Sequence, residues 1–209
     1  MNLDDEASLS SEQLPWPRFG DQLFGPDDDW YNNAFVSTCL DGLDLYASGY
    51  LEAAQIVVEA IVSSRRSPDA VVYPIGFLYR HYLELRLKTI IDQGKKLLNR
   101  RPGFPETHDL DLLWKTARKI IEEIYWKDPK ETVEAVHESM VQFCDLDKDS
   151  YAFRYLTDKS GKIRYLAGLK LLNVRQLSEV MGRISRFLES VSEGIAENLR
   201  IMQENQEHD

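Results

Sequence analysis

The chain has 209 residues, 43% hydrophobic and 11% aromatic, which is enough apolar side chain to bury the core of one domain. Its formal charge of −10 at pH 7 excludes broad nonspecific attachment to nucleic acid or to an anionic membrane surface, while leaving room for a local basic patch. Two cysteines, Cys39 and Cys144, make neither a disulfide framework nor a metal-binding spacing, and both read as small core residues.

Residues 1–26 are polar, acidic and broken by Pro15, Pro17, Gly20, Gly25 and Pro26, and predict a flexible tail ahead of a single helical domain over 27–209. The acidic start lacks the positive charge and apolar core of a secretory signal. No uninterrupted apolar run reaches the roughly 18 residues of a membrane span. A cytoplasmic protein without membrane attachment is the expectation.

Asp27-Asp28-Asp29 supplies caps and favourable charge for a helix from Trp30, interrupted at Gly42. A long helix rich in Ala, Val and Ile is predicted from about Asp44 to Ser63, and a second from about Asp69 to Asn99. A loop with Pro102, Gly103 and Pro105 leads to a helix capped by Thr107 or Asp109 and running to about Trp126. Another follows from Pro129 to Phe143. Residues 151–166 place two short alternating segments around Thr157–Gly161, the pattern of a β-hairpin with Arg154 and Arg164 on similar faces. From Val174 to Glu204, apolar residues step by three and four. This predicts a long seam that packs along the bundle or pairs with a second subunit.

The segment Pro74–Lys88 carries most of the chemistry. At about 100° per residue, Arg80, Glu84 and Lys88 share one stripe with His81 beside it, while Arg86 projects from the apolar side. The stripe reads either as a solvated face with i,i+4 ion pairs or as part of a site. Arg86 requires a buried partner, because an unpaired charge is costly in an apolar setting. With His108, Asp109, Arg154 and Tyr155, these residues make the candidate ligand-binding set. His81, His108 and Arg80 are the candidates for proton transfer and charge stabilisation. Asp145-Leu146-Asp147-Lys148-Asp149 begins like a calcium loop but lacks its glycine and closing glutamate. The four histidines have no metal spacing, and no phosphate loop or nucleophile elbow occurs, so no metal or cofactor is expected.

Leu83-Glu84-Leu85-Arg86-Leu87-Lys88, a Pro/Gly loop and then Thr107-His108-Asp109-Leu110 resemble the HEPN superfamily, with Phe153-Arg154-Tyr155 similar to a segment found in a subset of it. The resemblance implies an all-α bundle, often a homodimer, of the kind found in toxin–antitoxin pairs, phage defence and RNA processing. Many such proteins are metal-independent endoribonucleases with a late arginine, roughly four to six residues and then a histidine, paired across a dimer. This chain departs from that pattern: no histidine follows Arg154, Arg164, Arg175, Arg183 or Arg186 at that interval, and Arg101 with His108 lies in the wrong loop. The expectation is a HEPN-like module binding a nucleotide, RNA or a partner protein. Its alternatives are an endoribonuclease and a purely structural dimeric helical protein.

Overall fold

Among the described residues, which are 16–17, 19–36, 42–127 and 130–207 of this computed structural model, every regular element is a helix. The chain divides into two compact units, Met1–Thr38 and Cys39–Asp209. Cys39, Pro129 and His208 lie outside the described residues.

In the first unit, Trp30–Asn32 form a single 3₁₀ turn in place of the helix expected from Trp30. The turn stops because Asn33 folds back on Asp27. Its side chain accepts from the Asp27 amide at 2.9 Å and donates to the Asp27 carbonyl at 2.7 Å, which holds Asn33 in extended backbone. Trp16, Phe19 and Phe24 are exposed.

The second unit has five helices: α1 (Leu43–Ser64), α2 (Val72–Leu97), α3 (Leu110–Ile124), α4 (Glu131–Asp147) and α5 (Val174–Glu207). α2 is the central element and packs against α1, α3 and α5. Its apolar residues Ile75, Tyr79, Leu83, Leu87, Ile90 and Ile91 are buried, as are the charged side chains Arg80, Glu84 and Arg86, while Asp92, Lys95 and Lys96 toward its end keep partial exposure. On α5 the seam Val174, Met181, Ile184, Leu188, Val191 and Ile195 is buried within this one chain. At about 1.5 Å per residue, α5 is about 50 Å long.

Two glycines on α2 permit its close contacts. A Cβ on Gly76 would stand 2.3 Å from the Phe153 ring, and one on Gly94 would stand 2.3 Å from Cγ2 of Ile120. α1 contributes Ala47, Leu51, Ala54 and Val58 to the core. By length and mean hydropathy, 1.2 over its most apolar window, α1 also reaches the range of a membrane-crossing helix. Counting uninterrupted apolar residues understates it, because Ser, Gly, Gln and Glu punctuate the run.

The hairpin expected over 151–166 is reduced to one antiparallel bridge, Thr157 with Arg164. The turn itself forms: Asp158 Oδ1 accepts from the amides of Lys162 and Ile163, each at 2.9 Å. Pairing ends there because the first arm curls on itself, with the Arg154 and Tyr155 amides both donating to the Tyr151 carbonyl. Arg154 and Arg164 therefore do not lie on paired strands.

Candidate functional site

Arg80, expected on the outer stripe, is fully buried. Two distant segments cover it, the loop entering α3 and the end of α4. Its Nε donates to the Asp147 carbonyl at 3.0 Å, Nη1 to Glu84 Oε2 at 3.2 Å, and Nη2 to the carbonyls of Lys148 at 3.0 Å and His108. Burial pulls the guanidinium pKa down, opposed by the neighbouring Glu84 and Asp147 carboxylates. All three guanidinium nitrogens are engaged and none reaches solvent, so Arg80 locks α2 to α3 and α4 and does not meet a ligand. Asp147 completes this junction: Oδ1 accepts from the Ala152 amide at 2.9 Å, and buried Oδ2 has no hydrogen-bond partner among the described residues.

Glu84 is equally buried and gathers Arg80, Lys88 and the His108 ring. Oε1 accepts from Lys88 Nζ at 2.8 Å and meets His108 Nδ1 at 2.9 Å, while Oε2 takes the Arg80 bond. Burial alone would raise its pKa, but Lys88, His108 and Arg80 together hold the carboxyl below its usual range. An ionised carboxylate only accepts, so His108 Nδ1 must carry the proton. In the neutral tautomer that donates from Nδ1, Nε2 is the acceptor, on a side chain 67% exposed. Lys88 lies over the Phe104 ring, 5.5 Å from its centroid.

Asp109 is the N-cap of α3. Its Oδ1 accepts from the Leu112 amide at 3.0 Å, and its Oδ2 pairs with Lys148 Nζ at 3.1 Å. Those two partners lower the Asp109 pKa against the raising effect of desolvation. His81 is held among aromatic rings, stacked on Phe77 at 5.7 Å and edge-on to Tyr50 of α1 at 4.4 Å. Burial lowers its pKa, with Glu84 opposing, so its imidazole is neutral at pH 7.

The candidate set thus separates into three places. Arg80, Glu84, His108 and Asp109 meet where α2, α3 and α4 join. Arg86 is elsewhere, bonded to the Asp44 carboxylate of α1 and at 3.4 Å to Ser192 Oγ of α5, with the Tyr82 hydroxyl beside it. It is the glue of the α1–α2–α5 packing and no part of a shared cleft. Arg154 and Tyr155 form a third group: the Arg154 guanidinium lies 5.4 to 5.5 Å from the rings of Phe77, Tyr151 and Tyr155. Phe77 is the bridge from this group to His81.

Sequence reasoning singled out Tyr151 beside Arg154 and Tyr155 but missed its stacking partner Tyr165, the carbonyls of Asp147 and Lys148, and the aromatic bridge Phe77. The acidic run at 145–149 drew notice as a failed calcium loop, yet nothing in its pattern announces two carbonyls aimed at an arginine. Among the described residues no group of three or more His, Cys, Asp or Glu is placed to hold a metal. Burial pushes the Cys144 thiol up to about 11, which makes it a poor nucleophile near neutral pH. The site offers one oriented, exposed imidazole on a buried carboxylate, able to accept a proton or to hydrogen-bond an anionic or hydroxylated ligand. Compared with known proteins, the chain matches no family model, no curated protein and no solved structure.

Proposed function

We propose that this chain is a HEPN-like helical module that binds RNA or a nucleotide without cleaving it, acting as a cytoplasmic homodimer in a toxin or defence setting. The contact between Glu84 Oε1 and His108 Nδ1, 2.9 Å, is the observation that carries this reading. It joins the two motifs on which the family resemblance rests, and it fixes the one histidine of the junction that reaches solvent. Binding is favoured over cleavage because Arg80, which would stabilise a phosphorane-like charge, is spent on three backbone carbonyls and Glu84.

A second reading, a metal-independent endoribonuclease, draws on the same pair. A carboxylate that orients an imidazole and leaves Nε2 basic is the arrangement a general base requires. Incubating the purified protein with labelled single-stranded RNA in chelator separates the two. The binding reading expects a complex, intact RNA and weakened binding in His108→Ala. Cleavage that disappears in His108→Ala would replace it with the nuclease. If neither RNA nor a nucleotide binds, both readings fall and a structural role is left. Light scattering of the same preparation checks the dimer.

A further inference from the structure

Residues 148–175 oppose the rest of the chain in charge. They carry seven Lys or Arg against two Asp, and the remainder carries eighteen against thirty-three Asp or Glu. This basic segment is also aromatic and fixed in place. Phe153 is buried against Gly76 of α2 and lies 6.1 Å from Phe143 of α4. The Ala152 amide is tied to Asp147, and Asp158 closes the turn beyond.

On that base Tyr151 stacks on Tyr165 at 6.4 Å with 15° between the rings, and Tyr155 lies 5.8 Å from Tyr151. Tyr151 is 41% exposed and Tyr155 is 53% exposed. The Arg154 guanidinium rests among these rings, anchored by Nε on the Ser150 carbonyl, and its two terminal nitrogens have no partner among the described residues. The side chains of Lys162 and Arg164 likewise have no carboxylate partner among the described residues. Tyr155, Tyr165, Arg164 and Lys170 line a cleft of about 440 Å³ together with Tyr73 and Asp69. That volume lies within the range of small-ligand sites.

We propose that residues 148–175 form a platform for single-stranded nucleic acid, with bases stacking on the tyrosines and phosphates meeting Arg154, Lys162 and Arg164. It rests on the reading that this module binds RNA or a nucleotide, and it names both the form of the ligand and the surface that holds it. Exposed rings beside unpaired cations match the two features a single strand presents, π-faces and phosphates. An acidic peptide would use the cations and leave the rings idle, and a duplex would hide its bases. The net charge of −10 disfavours nonspecific attachment of a polyanion to the chain as a whole.

Fluorescence anisotropy with labelled oligouridylate and oligodeoxythymidylate tests this on the full-length chain, with UMP, a duplex of the same length and polyglutamate as competitors. Tyr155→Ala is expected to weaken strand binding by on the order of tenfold, and Tyr155→Phe to restore it. Arg164→Gln is expected to flatten the salt dependence by about 0.7 in the log–log slope. Thermal melts confirm that the variants fold. A strand that binds wild type, Tyr155→Ala and Arg164→Gln equally, but is lost in His108→Ala, overturns the platform and leaves the module reading standing. Binding of UMP without the strand does the same. Equal competition by duplex or polyglutamate overturns stacking as the basis of recognition. A wild-type chain that binds neither strand nor UMP overturns the module reading itself.

Discussion

His81 shows how a helical environment turns a titratable residue into a pH-dependent stability element. Its ring stacks on Phe77 and meets Tyr50 edge-on, and burial lowers its pKa from the ordinary 6.5. A lowered value means that the unfolded chain binds the proton more readily than the folded one. The stability this contributes is complete above about pH 6.5 and is lost as pH falls from there through the folded value. Thermal melts of wild type and His81→Phe should therefore separate by pH: the wild-type midpoint drops between pH 7.5 and 5.5 by more than the variant's, because Phe keeps the ring contacts and cannot charge. Parallel pH profiles would show that His81 contributes nothing to the slope. Single residues also differ in how plainly the sequence announces them. Arg86 is legible as a buried arginine because the helical period sets it on the apolar side of α2. Arg80 is not, because the carbonyls that bury it come from His108 and Asp147, 28 and 67 residues further on. Local periodicity carries no record of such partners.

Among the elements, α1 through α5 follow the period of their apolar residues, and the sequence alone places their cores well. The turn-rich segment over 151–166 was less legible. Alternation there predicts strands, yet Phe153 leaves the alternating pattern to fill the gap over Gly76, and the first arm curls instead of pairing. A glycine inside a helix lowers its intrinsic stability by about 1 kcal/mol, so its presence in the second turn of α2 needs a packing reason. The 2.3 Å approach of the Phe153 ring supplies it. Gly76→Ala should destabilise the protein on urea unfolding, with the overpacking cost of about 1–3 kcal/mol exceeding the gain in helix propensity. It should also speed hydrogen exchange at the Ala152 amide by loosening the loop. Gly182→Ala on α5 is the paired control: nothing stands within 4 Å of its added methyl, so it should stabilise by up to about 1 kcal/mol. The same sign at both positions would contradict the packing account of Gly76.

In the molecule as a whole, two polar networks pin the bundle from opposite sides of one helix. Arg80 with Glu84, Lys88 and His108 joins α2 to α3 and the end of α4, and Arg86 with Asp44 and Ser192 joins α2 to α1 and α5. The two arginines are separated by about 9 Å along the helix axis and share no partner. Their losses should differ in size. Arg80→Met strips three carbonyls of their donor, that of Asp147 buried, and leaves the buried Glu84 one cation short, at an expected cost of about 3–5 kcal/mol. Arg86→Met keeps most of the buried stem volume, and Asp44, whose side chain is 48% exposed, can rehydrate, so about 1–2 kcal/mol is expected. Combining them should give the sum to within about 0.5 kcal/mol, as independent sites do. Arg80→Met with Glu84→Gln should depart from additivity by about 0.5–3 kcal/mol, since each disables the same pair. Urea unfolding of the three single and two double variants against wild type decides it. Coupling between Arg80 and Arg86 as large as that between Arg80 and Glu84 would mean that α2 transmits strain between its two faces, and that the networks act as one.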